Sequence, residues 1–239
     1  MKSFKYNLLK FFAEFILIVT GIILSFYIQD KIEDRASKKE ARHIMQQVLS
    51  DLVNDTLLFN QGIKVSQSTI SSSDYLLNIN YETQLDTEEE LDSFFFCFWY
   101  TTTNLKTPIH MAGYTRLIYF DNNNIIHNDS LINYIIGYYT IDKAIMDGCM
   151  KFDADFVDGP LTEAYTESYS YNILNAAHKA KPYPETMKED IILFLENKKI
   201  RSLLLYNISN KAYYREHIQA TKDSASKKIE LLKNWLAKF

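Results

Sequence analysis

Apolar and polar positions divide the chain into three stretches. From Phe11 to Ile28 the residues are almost continuously apolar. From Gln29 to about Val65 apolar residues recur at helical spacing among charges, and beyond Ser66 shorter apolar segments alternate with polar breaks. The eighteen residues of the first stretch would extend roughly 27 Å as a helix, close to the hydrocarbon thickness of a bilayer. Between Phe15 and Ile28 only Thr20 and Ser25 are polar, so no solvent-facing stripe is left for a helix buried in a soluble domain. Lys2, Lys5 and Lys10 precede the run as in a signal peptide, but the exit, Phe26-Tyr27-Ile28-Gln29-Asp30, has no small-x-small cleavage site. The pattern predicts an uncleaved membrane anchor: a basic tail over 1–10 and a span over 11–28.

One carboxylate, Glu14, stands about a turn inside the run. At 100° per residue Lys10, Glu14, Gly21 and Ser25 fall within about 60° of one another, and Gly21-x-x-x-Ser25 is a small-residue pair that permits close helix approach. The stripe reads either as a helix–helix seam of an oligomeric span, or as a Lys-paired glutamate reaching the headgroups. Three lysines precede the span, and Lys31, Arg35, Lys38, Lys39 and Arg42 follow it, so charge balance leaves the side of the domain open.

No Pro or Gly occurs from Ile22 until Gly62, which predicts that the span continues as a charged stalk and amphipathic helix over 29–65. Ile44, Val48, Leu52, Phe59 and Ile63, with Met45, Leu49 and Thr56, project into one stripe about 140° wide, broader than a coiled-coil seam and suited to packing against a domain. Ser66–Ser73 is a polar interruption too short for an interdomain linker, so 66–239 is expected to form one helical domain with the stalk helix packed on it. Thr87 followed by three glutamates is a capping box ahead of a Phe94–Trp99 cluster, expected to be buried on all sides. Thr107-Pro108 marks a further helix start, Asp121–Asn124 a stop, and Asn128-Asp129-Ser130 the cap of a strongly apolar segment, 131–152, expected to form the central helix. Beyond Gly159-Pro160 the pattern predicts helices over 161–179, 185–198 and 200–218. A terminal amphipathic helix over 225–239 should close the domain or lie on the membrane.

Six Gly and four Pro in 239 residues are few breakers for a many-stranded sheet, and the fold class is all-α. A net charge of −4 gives no basic field for nucleic acid. Cys97 and Cys149 are far apart with no CxxC, so neither a disulfide framework nor a zinc site is indicated.

Two blocks carry a family resemblance. The first is Glu14-Phe-Ile-Leu-Ile-Val-Thr-Gly21-Ile-Ile-Leu after a short basic segment, followed by "MQQVLSDLVND"; the second is "GYTRLIYFDNNNIIHNDSLINYIIGYY". Over about residues 8 to 140 the chain resembles an uncharacterised family of single-span membrane proteins of Bacteroidota, departing from it at the exit, Gln29-Asp30-Lys31-Ile32-Glu33. The resemblance implies a protein of the bacterial inner membrane with a helical domain, gives Glu14 and Gly21 counterparts in the family pattern, and implies no activity.

Chemistry is sparse. Histidines 43, 110, 127, 178 and 217 show no metal-binding spacing, and "DADFVDG" (Asp153 to Gly159) departs from a calcium loop at its glycine, a ligand position and the final acid. There is no GxGxxG, Walker or GxSxG motif. The expectation is a non-enzymatic, membrane-anchored interaction or structural module without cofactor or metal, whose partners are the bilayer and either further copies or a second membrane protein. The alternatives are an ion-conducting or energised unit with Glu14 on its axis, and an enzyme or ligand-binding domain with a pocket among its tyrosines and phenylalanines.

Overall fold

The first proline of the chain is Pro108, and without one to break the backbone ladder the N-terminal third forms a single helix, α1 (Lys2–Asn78), of 77 residues. It is one element of a computed structural model that describes residues 2–120, 129–167, 173 and 183–238; among these every regular element is helical and there is no strand. The fold is all-α, with one long apolar N-terminal helix.

α1 passes without a break through Gly62 and through Ser66–Ser73, where a polar interruption is expected from sequence. The hydroxyls there are satisfied without leaving the helix: Ser66 Oγ donates to the Gly62 carbonyl at 2.9 Å, and Thr69 Oγ1 to the Tyr100 carbonyl at 3.2 Å. α2 (Glu88–Thr101) starts at the expected capping box, with Glu90 N donating to Thr87 Oγ1 at 3.3 Å and Thr87 N to the Glu90 carboxylate at 3.0 Å. Its aromatic run is buried on one face only: Phe94, Phe95 and Phe98 are inside, while Phe96 is 60% exposed.

Thr107-Pro108 does not open a helix. Residues 102–111 run without regular structure, because side chains of other helices take up their N–H groups: Leu105 N donates to Asp153 at 2.8 Å, Thr107 N to Met150 Sδ at 3.2 Å and His110 N to Asp55 at 2.9 Å. α3 (Ala112–Ile118) begins only afterwards. The stop expected over Asp121–Asn124 and Asn128 of the expected cap lie outside the described residues, while Asp129 and Ser130 open the next helix.

α4 (Asp129–Gly137) continues through a π-helical turn, Tyr138–Asp142, into α5 (Lys143–Phe156). This apolar segment is not central: Ile141, Ile145 and Phe152 face outward. A second π-turn, Val157–Leu161, contains a kink at Gly159 and leads to α6 (Thr162–Glu167). The rest of the helix expected to 179 lies outside the described residues, apart from the buried Ile173. α7 (Met187–Glu196) and α8 (Lys198–Lys238) complete the chain, and α8 unites in one 41-residue helix the two segments expected over 200–218 and 225–239.

α8 packs antiparallel on α1. Arg201 donates to the Leu77 carbonyl at 3.2 Å and Asn207 to Ser73 Oγ at 3.4 Å, and Ile218 lies beside Gly62. The same register brings Leu232 opposite Val48, so the C-terminal segment packs on the domain. Two apolar cores result. The one nearer the apolar N-terminal stretch holds Ala41, Ile44, Val48, Leu52 and Phe59 with Tyr138, Tyr214 and Leu232, and Ile63 packs against it. The farther one gathers Leu76, Leu85, Phe94, Phe98, Tyr165 and Phe194. Between them lies a buried polar belt of Ser66, Thr69 and Ser73 from α1, Asp153 from α5, and Asn207 and Lys211 from α8.

Candidate functional site

Glu14, Gly21 and Ser25 lie on the exposed part of α1, and a Cβ added at Gly21 would meet nothing within 4 Å. Lys10 belongs to the same helix, but its side chain lies outside the described residues. An 18-residue window here has mean hydropathy 1.7 and none of it is buried. The helix is thus long and apolar enough to cross a membrane, and burial starts only at Ala41.

The packing stripe of α1 carries two carboxylates among its apolar residues. At 100° per residue Asp55 falls within the arc defined by Ile44, Val48, Leu52 and Phe59, between Ile44 and Val48, and Asp51 about 20° outside it. Asp55 is fully buried and accepts hydrogen bonds from His110 N at 2.9 Å and from the Tyr138 hydroxyl at 2.8 Å, and His110 Nδ1 shares a hydrogen bond with it at 2.6 Å. Burial pushes its carboxyl above the usual aspartate value, against the pull of the His110 and Tyr138 hydrogen bonds. Burial, reinforced by Asp55, drives the Tyr138 phenol far up and keeps it a neutral donor. Asp51 accepts from Gly113 N at 2.6 Å, and a Cβ at Gly113 would lie 2.5 Å from the backbone nitrogen of Val48. The two carboxylates therefore tie α1, the 102–111 segment, α3 and the π-turn together. "MQQVLSDLVND" and "GYTRLIYF…INYIIGYY", far apart in sequence, touch through these contacts. The Asp55–His110 pair joins residues 55 positions apart, beyond the reach of local spacing. The legible signal was a pair of aspartates on a buried helical stripe.

In the polar belt the Lys211 ammonium sits 2.7 and 2.8 Å from the two Asp153 oxygens and donates to the Thr103 carbonyl at 2.8 Å, with both ionic side chains fully buried. Burial lowers the Lys211 pKa below the lysine norm, and Asp153 opposes that shift. Asp153 is thus committed to Lys211 and to Leu105 N, and Asp158, from the same acidic run, accepts from Asn104 at 3.0 Å. Nearer the span, Lys228 donates to Ser224 Oγ at 2.6 Å and lies 4.4 Å from the Tyr134 ring centre. Among the described residues no group of three His, Cys, Asp or Glu side chains converges as metal ligands would.

A groove of about 650 Å³ lies between α5 and α8, lined by Ala144, Gly148, Cys149 and Phe152 on one side and by Tyr206, Asn210, Tyr213, Tyr214 and His217 on the other. Burial holds the Cys149 thiol protonated, its pKa raised.

No family model, curated protein or solved structure matches the chain.

Proposed function

We propose that this chain is a single-span, membrane-anchored helical module that acts by binding, associating through its span with further copies or with a second membrane protein. The supporting observation is the change of character along α1. Thirteen large apolar side chains between Phe11 and Ile28 are exposed, whereas from Ala41 onward the same helix buries its apolar stripe in the domain. Leaving such side chains in water costs about 1.5–3 kcal/mol each relative to burial, a cost that a bilayer removes. The stretch from Ile28 to Ala41 spans about 20 Å as helix and holds the domain clear of the hydrocarbon. Its side chains are paired along the helix: Gln29 donates to Glu33 at 3.0 Å and Lys38 to Asp34 at 2.9 Å. Glu14, Gly21 and Ser25 present one polar, small-residue face, the feature that favours association through the span.

Membrane fractionation tests this reading. The full chain should stay in the pellet after alkaline carbonate washing, while residues 29–239 should be soluble, folded by circular dichroism, and unfold at nearly the same temperature. Release of the full chain by carbonate would refute the anchor, and failure of the shortened chain to fold would refute an independent domain.

A further inference from the structure

The α5–α8 groove opens onto an apolar surface. None of the residues that line it is Asp, Glu, Lys or Arg, in a chain of which 23% is charged. Ile141, Ile145 and Phe152 along one side and Tyr206 and Tyr213 along the other keep between 41% and 64% of their surface exposed. At 150–250 Å² for a whole aromatic side chain, that leaves about 500 Å² of apolar surface, the size of patch that marks a protein contact.

The two walls run antiparallel. Asp153 contacts Lys211 at 2.7 Å and Ser224 donates to Asp142 at 2.7 Å. Between those contacts Phe152 stands level with Tyr213, Gly148 with His217 and Ile145 with Ala220, at about 1.5 Å per residue. The outer rims carry opposite charges. At 100° per residue Lys151 lies about 60° outward of Gly148 on α5, and Glu216 about 60° outward of Tyr213 on α8, within about 5 Å of the same level. Both are exposed, and among the described residues neither has an ion partner. Within one chain the groove separates them.

A second copy answers both features. Chains anchored by α1 stand parallel, with their grooves at one height and facing sideways, because α5 and α8 run along α1; this step rests on the reading of α1 as an anchor. Rotation about a two-fold axis parallel to α1 keeps that height and sets α5 of each copy against α8 of the other. We propose that the chain pairs with a second copy of itself through the α5–α8 groove in this way, with Phe152 and Tyr213 of both copies at the centre and Lys151 of each copy paired with Glu216 of the other. Bulk is then matched, since Ile145 meets Ala220 and His217 meets Gly148. Four aromatic rings gather near the axis, and the two ion pairs close the rim. With its rim each copy would bury about 600–800 Å², which is what a stable dimer needs. Gly21 lies about 180° around α1 from the middle of the Ile44–Phe59 stripe, so its face looks away from the domain and from this contact.

Carbodiimide, which joins an amine to a carboxylate already in contact with it, tests the pair on the full chain in lipid vesicles, prepared from equal parts of unlabelled and nitrogen-15-labelled protein. Mass spectrometry of the dimer band should find Lys151 joined to Glu216, with labelled and unlabelled chains mixed in the link. Phe152→Asp keeps both coupling groups and should abolish the link at an unchanged unfolding temperature. Lys151→Glu/Glu216→Lys should retain it with the roles exchanged. Gly21→Leu should leave it in place, so failure of association through the span is read separately from failure of this pair, and carbonate extraction reads the anchor itself. Absence of a mixed-isotope link, an unaltered link in a folded Phe152→Asp chain, or loss of the link in the exchanged double variant would overturn the proposal. So would a link from Lys151 or Glu216 to another protein when the reaction is run on membranes of the producing cells.

Discussion

Glycine does opposite things at positions 113 and 148. At Gly113 the missing side chain lets α3 meet α1 backbone to backbone: a Cβ would lie 2.5 Å from Val48 N and 2.9 Å from Gln47 C, atoms that cannot rotate away. Gly113→Ala should therefore destabilise by about 3 kcal/mol in denaturant titration, at the upper end of overpacking costs. Gly148→Ala meets open space in a helix and should stabilise by about 0.5–1 kcal/mol through reduced chain entropy. Asp55 makes a pH-dependent prediction. A carboxyl whose folded pKa is raised keeps its proton to higher pH in the native state than in the unfolded chain, so its contribution is full below the unfolded value of 3.8 and is lost as pH rises through the folded value. Asp55→Asn removes that dependence. The stability of the natural chain relative to the variant should fall as pH rises above about 4 in guanidinium titrations, and a rise would contradict the assignment.

At the scale of elements, α8 shows how polar residues can occupy a core-facing stripe. Leu204, Asn207, Lys211, Tyr214 and Ile218 follow helical spacing and are all buried. Lys211→Met leaves the Asp153 carboxylate buried without its partner and should cost about 3–5 kcal/mol, whereas the double variant Lys211→Met/Asp153→Leu should recover most of that loss. The unfolding free energies of the two chains check this. The α2 start was legible because a capping box satisfies its own backbone within four residues. The start of α3 was not, because Asp153, Met150 and Asp55, all distant in sequence, hold the N–H groups of Leu105, Thr107 and His110 in the irregular segment on either side of Pro108. The Phe94–Trp99 cluster misled for a related reason. Composition shows how apolar a helix is, but not how many neighbours it has, and α2 has them on one face.

At the scale of the whole molecule, a helix of 77 residues joins the apolar stretch to the domain core, so the two share one continuous element. If the Gly21 face mediates association, Gly21→Leu should reduce the light-scattering mass of the detergent-solubilised chain while leaving its helical circular dichroism unchanged. An unchanged mass would remove that face as the contact.

The sequence by itself determined the class of structure. Continuous apolarity over Phe11–Ile28, the scarcity of Pro and Gly, and 3.6-residue periodicity are local properties, and local properties decide where helices form and which are long enough to cross a bilayer. It also showed which face of α1 meets the domain, because Ile44, Val48, Leu52 and Phe59 recur at helical spacing. Only the tertiary structure decided what the polar residues on such faces do. Asp55 with His110 and Asp153 with Lys211 both depend on which segments become neighbours. A buried charge or donor finds its partner across the packed interior, where sequence distance has no bearing on proximity.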